Sequence, residues 1–150
     1  LCEDLTMSIV GVTEWGGMGS LEATIRFAGQ RQRLIAHNIA NISTPNFIQL
    51  DVSTSAFQKQ LGEAIDRHRD NAGQGPLDLQ PSDEVRPQPN GSFQLVPNTP
   101  SGNIAFQDRN NRDLERLMQD QSENILVFRT AIDLFKSRSD MMRSALAQRI

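Results

Sequence analysis

The sequence predicts a mainly α protein. Long N- and C-terminal helices should pack as a coiled-coil-like bundle around a Pro/Gly-rich, partly β or disordered middle insert. Three observations predict it. Apolar residues recur at alternating steps of four and three over residues 20–43; they do so again from Leu114 to Leu146; and six of the seven prolines fall between Pro76 and Pro100. A step averaging 3.5 puts side chains on one stripe of a helix. Proline at that density removes backbone donors and bars a long helix or a central strand.

The chain has 150 residues, enough for one domain or for one domain with an insert. Hydrophobic residues make up 37% and aromatics 5%, with one Trp and no Tyr, against about 45–50% apolar in an ordinary globule. A modest core is expected, with partners supplying part of the burial. The net charge of -3 is mixed along the chain, so no basic footprint for nucleic acid exists. Cys2 has no second thiol, which excludes an internal disulfide or a thiolate zinc site.

Taken in order, residues 1–19 read as a disordered or mis-started extension containing Gly16, Gly17 and Gly19. Their apolar run, Leu5 to Thr13, follows acidic rather than basic residues and is too short to span a bilayer, so neither a signal peptide nor a membrane span is expected. Residues 20–69 form the N-terminal helical segment. Ser20 is expected to cap it, and its seam is Leu21, Ile25, Ala28, Ile35, Ile39 and Ile42, with Gln32 in line and Arg26, Arg31 and Arg33 largely off it. Pro45 disfavours the α region at Thr44 and stops the helix. Asn46 tolerates a left-handed backbone, and Phe47 restarts an apolar segment after a sharp turn.

A shorter helix over 54–68 is expected from Phe57, Leu61, Ala64 and Ile65, with Ser55 and Gln58 spaced as a capping box. Residues 70–109 form the insert. Asn90-Gly91 is a hairpin turn signal between Glu84 to Arg86 and Ser92 to Val96. Residues 110–150 form the C-terminal helix, capped at Asn110 or Asn111, with Asp113 and Glu115 suited to its positive end. Its seam reads Leu114, Met118, Ile125, Phe128, Ile132, Phe135, Met142 and Leu146, interrupted by Gln121 and Ser139 and widened by Leu117, Leu134, Met141 and Ala145. At about 1.5–3 kcal/mol per buried Leu, Ile or Phe, that stripe carries on the order of 10 kcal/mol of gross burial and needs a cover.

Catalytic constellations are missing from this pattern. His37 and His68 are the only histidines and have no ligand-like neighbour at helical spacing. Glu63 and Asp66 read as a solvated helix face, and Gly16 to Ser20 lacks the preceding strand and following Lys of a P-loop. The expectation is a non-enzyme with no metal, no cofactor and no small-molecule substrate.

Asn38-Ile39-Ala40-Asn41 followed by Ser43-Thr44-Pro45-Asn46-Phe47 resembles the N-terminal motif of the flagellar basal-body rod protein family and its hook and distal-rod relatives, Ala-Asn-X-X-Thr-Pro-Gly-Tyr. Here Asn46 replaces Gly, Phe47 replaces Tyr, and Ile48 stands where a basic residue is frequent. The segment Asn110-Asn111-Arg112-Asp113-Leu114-Glu115 resembles the stretch before the C-terminal helix in proximal-rod members. The resemblance covers about residues 20–69 and 106–146. It implies a structural rod subunit that assembles axially through its terminal helices and transmits torque. It further implies export through the flagellar type III system without a cleaved signal, a place in the periplasmic rod, and contacts with its own copies, other rod subunits and basal-body ring or export-gate components. Another flagellar axial protein, or a cytosolic adaptor binding one amphipathic helix, are the alternatives.

Overall fold

The computed structural model describes residues 17–71, 75–88, 91–99 and 114–147. Asn110, Asn111, Asp113 and Asn90 lie outside the described residues, as do residues 1–16. Helix α1 spans Met18–Ala40, α2 spans Thr54–Asp70, strands β1 and β2 span Val85–Pro87 and Phe93–Leu95, and α3 spans Leu114–Ala147. The architecture is mainly helical: the N- and C-terminal helices pack together and a short two-stranded sheet lies between them in sequence.

Helix α1 starts earlier than Ser20 predicts. Gly17 holds the N-cap position with φ 85°, a left-handed conformation that favours glycine. The Ser20 hydroxyl donates to the Gly17 carbonyl at 2.7 Å rather than accepting a first-turn N–H. At the other end the helix stops at Ala40, three residues before the expected end. The Asn41 N–H and side-chain Nδ2 both donate to the His37 carbonyl, at 3.1 and 2.9 Å, satisfying a last-turn acceptor that the helix itself leaves open. Helix α2 is capped by Ser53, two residues before Ser55: its hydroxyl accepts the Ala56 N–H at 3.1 Å. Ser53 is the residue left in extended backbone, and this position, not the Ser55–Gln58 spacing, defines the cap.

Two separate faces of α1 are covered. Ala23 and Phe27, with Leu34 beside them, face α2 and the β-hairpin in a core that also holds Val52, Phe57, Ala64, Leu79, Val85, Phe93 and Leu95. The Phe27 and Phe57 rings stack at 4.0 Å and 12°, and Phe93 packs on Phe57 at 5.8 Å, adding about 0.5–1.5 kcal/mol per pair to the area term. An isolated hairpin of this size is marginal in water. Here the pairing Val85↔Leu95, Arg86↔Gln94, Pro87↔Phe93 is supported from below by those rings. Gln30 of α1 closes the outer edge of β2: its Nε2 donates to the Phe93 carbonyl at 2.9 Å and its Oε1 accepts the Leu95 N–H at 2.9 Å. The proline-rich segment therefore contributes core side chains to the fold.

The second face of α1 carries Ala28 and Ile35 and meets α3. Contacts from Arg31 to Asp120, from Ala28 to Asn124 and from Gly29 to the Phe128 ring run in opposite chain directions, so the two helices are antiparallel. Buried residues on α3 are Leu117, Asn124 and Ala131, spaced by seven. At about 1.5 Å per residue, the 34 residues of α3 outrun the 23 of α1.

Candidate assembly interface

The turn after α1 is built from small polar groups. The Thr44 N–H donates to the Asn41 carbonyl at 2.9 Å and the Phe47 N–H to the Thr44 carbonyl at 3.2 Å, bracketing Pro45. Asn46 sits at φ 59°, a region that asparagine enters at lower cost than most residues. That sign change turns the chain back along α1. Phe47 meets His37 edge-on, ring centroids 5.5 Å apart. Buried Asn38 then fastens the returning strand: its Nδ2 donates to the Leu50 carbonyl at 2.7 Å and its Oδ1 accepts the Leu50 N–H at 3.1 Å. An amide in that position imitates a strand neighbour and satisfies both backbone groups of Leu50.

Directly beyond lies a polar junction centred on Arg31. Its Nε and one terminal nitrogen donate to the two carboxylate oxygens of Asp51 at 3.1 and 2.9 Å, and that nitrogen also reaches Asp120 of α3 at 3.3 Å. The arginine side chain is 7% exposed. Burial works against its charge, but hydrogen bonds and attraction from Asp51 and then Asp120 outweigh it and hold its pKa above the ordinary value. Asp51 also pairs its backbone with Asn98, so the segment after the turn, the insert and both long helices meet here. The cleft at this junction, about 370 Å³, is lined by Arg31, Asp51, Glu84, Asn98, Arg116 and Asp120 among others. Glu84 is occupied by the Ser53 N–H at 2.8 Å. Such groups hold segments together.

Elsewhere, the His37 ring lies against Asn41 and Phe47, and His68 Nε2 lies 3.0 Å from the Gly75 carbonyl. Among the described residues no group of three or more His, Cys, Asp or Glu side chains is placed to hold a metal, and no helix is long and apolar enough to cross a membrane.

The long-helix seam differs in rotation from the one read off the sequence. Ala28 and Ile35 are buried, whereas Leu21, Ile25, Ile39 and Ile42 are half-buried. On α3, Ile125, Phe128, Ile132, Phe135 and Met142 are half-buried, and Leu114, Met118 and Leu146 are exposed, as is Glu115. The line of deepest burial passes instead through Leu117, Asn124 and Ala131. Small side chains explain the rotation. Ala28, Gly29 and Ala131 let the backbones approach, and Asn124 is admitted because it donates to the Ala28 carbonyl and to Gln32 Oε1, each at 2.9 Å. Arg31, placed off the stripe by its charge, is buried because two aspartates converge on it. Within the turn motif, Asn38 is buried, Asn41 and Phe47 are half-buried, and Ala40, Thr44, Pro45 and Asn46 are exposed. The face of α1 carrying Ala23, Phe27 and Leu34 escaped the periodicity reading. Its signal was present as i, i+4, i+11 spacing, with Gln30 at i+7 hiding it.

No family model matches the chain. Over 138 residues it is 26% identical to the flagellar basal body rod protein FlgB of Yersinia ruckeri, covering 89% of this chain and 95% of that relative. FlgB of Yersinia enterocolitica matches with the same identity and coverage. The chain is FlgB-like. The match takes in nearly the full length of the FlgB relatives, so it spans the turn motif, the insert and the long helices together and does not rest on one motif.

Proposed function

We propose that this FlgB-like chain is a structural subunit of the flagellar basal-body rod, in its proximal part, and that it assembles axially through α1 and α3. The observation that carries this reading is the uncovered apolar ridge of α3. Leu134 is 51% exposed, Met141 56% and Leu146 65%, on a helix that continues past the described start of α1. Val127, Leu134 and Met141 repeat every seven residues beside buried Ala131, a spacing that suits a further helix laid alongside. Neighbouring subunits cover this ridge in the assembled rod, and heterologous contacts of this kind propagate along a helical path rather than closing into a dimer. The subunit is exported by the flagellar type III route to the periplasmic rod. Once there, its packed helices and the Arg31 junction transmit torque between neighbours.

The test is a pair of charge substitutions on the ridge, Leu134→Asp and Met141→Asp, in cells whose motility depends on this chain. Both positions are exposed, so the purified variants keep the parent circular dichroism spectrum. The expected result is loss of swimming and absence of the chain from isolated basal bodies, with export into the medium retained. Normal swimming with both charges in place would rule out the ridge as an assembly surface.

A further inference from the structure

Two contacts fix how α1 and α3 are rotated against each other. Arg31, on the flank of α1 that also carries Phe27, reaches Asp120. Gly29, on the opposite flank, lies under the Phe128 ring. Residues three and four apart share a helix face, so Ile25 accompanies Gly29, with Ala36 one heptad further on, and Ile125 and Ile132 accompany Phe128. The hairpin and α2 sit on the Phe27 side. The other side of the pair is therefore a groove, with Ile25, Ile125, Phe128 and Ile132 half-buried in it and nothing larger than a methyl at Gly29 and Ala36.

Cations stand on both rims. Arg33 follows Gly29 by four residues on α1; Arg129 and Lys136 follow Ile125 and Ile132 by four on α3. All three are exposed, and among the described residues none has a carboxylate at ion-pairing distance. The other charges nearby are engaged on their own helices, Glu22 by Arg26 at 2.6 Å and Asp140 by Arg143 at 3.8 Å. Asp133 follows Ile132 and lies about 100° further round α3.

We propose that this side of the α1–α3 pair is a docking groove for one amphipathic helix of another protein, apolar along the ridge that enters and carboxylate-bearing along its flanks. The recessed isoleucines accept a ridge between them, and the unpaired cations on both rims require acidic flanks. A bilayer fits less well, because it needs apolar side chains that protrude. A second copy of this chain also fits less well: beside its uncovered Leu134 and Met141 stands Arg138, which would meet the rim cations. The rod reading uses the opposite flank of α3, and this inference does not depend on it.

Binding of synthetic helical peptides to the full chain tests it. One peptide, about five turns long, carries leucine at a and d and glutamate at e and g; a second has lysine in place of each glutamate. Fluorescence anisotropy should show the acidic peptide bound about tenfold more tightly, the sum of three exposed pairs, with the difference lost in high salt. Arg33→Glu/Arg129→Glu/Lys136→Glu should keep the parent circular dichroism spectrum and reverse that order. The corresponding alanine variant should bind both peptides equally, and Ala36→Trp, which fills the groove floor, should bind neither. Equal binding of the two peptides by the parent chain would overturn the proposal. So would a parent dimer, seen by light scattering, that the charge reversal dissociates. Binding to phosphatidylglycerol vesicles that the reversal abolishes, with neither peptide bound, would assign the groove to a membrane surface and overturn it as well.

Discussion

At Asn46 the backbone adopts φ 59°, and the identity of that one residue sets the cost of the turn. Glycine enters this region freely, asparagine at moderate cost, and a β-branched residue poorly. Asn46→Gly is expected to leave stability unchanged or slightly raised, whereas Asn46→Val should lower it by about 1–2 kcal/mol; urea titration of the two variants separates them. Arg31 is the second position where one side chain governs several segments. Arg31→Ala leaves two aspartates facing each other in a cleft where they are only 26% and 24% exposed. Breaking a buried pair costs about 3–5 kcal/mol, and because the aspartates keep some solvent the expected loss is at the lower end. The Glu22–Arg26 pair is the control: its side chains are 53% and 43% exposed, and Arg26→Ala should cost less than about 1 kcal/mol. The two urea midpoints should therefore differ clearly.

Among the elements, α1 is the one that α2, β2 and α3 all contact. One face stacks Phe27 on Phe57 and supports the hairpin, and the other receives α3. The hairpin is the dependent partner, because three residues per strand do not hold without a support. Phe57→Ala should cost about 3–5 kcal/mol, and the loss should not be evenly spread. Hydrogen exchange at the Leu95 amide, which is held by Gln30, should accelerate far more than exchange at amides in the middle of α3. Equal acceleration at both would show that the hairpin and the long helices unfold as one unit. The helix expected over 54–68, which runs to Asp70, and the strand pair were legible from periodicity and the Asn-Gly turn signal. The attachment of that hairpin to α1 was not, since Gln30 and Phe27 lie outside the stripe that defined the helix.

For the whole molecule, the contrast between covered and uncovered positions of α3 separates folding from assembly. Phe128 lies over Gly29 within the chain, so Phe128→Asp should destabilise the isolated subunit, by about 2 kcal/mol, as well as block incorporation. Leu134→Asp touches a side chain that is half in water already and should affect incorporation alone. Thermal melts of the purified variants, run beside a swimming assay, distinguish the two. A melt in which both fall equally would mean that Leu134 is covered within the monomer.

Periodicity by itself determined that two long helices exist at the ends of the chain and that a turn separates the first of them from the segment carrying Phe47, because helix formation and proline or asparagine backbone preferences are local properties. The rotation of α3 about its axis was decided only in three dimensions. Met118, Ile125 and Ile132 form a more apolar line beside the one that starts at Leu117, yet the deepest burial fell on the line through Leu117, Asn124 and Ala131, where small size and a hydrogen bond to the facing helix matter more than hydrophobicity. Burial of Arg31 was likewise settled by residues 20 and 89 positions away in sequence. A local pattern carries no information about which distant carboxylates will arrive, and the free energy of a buried charge depends on just that.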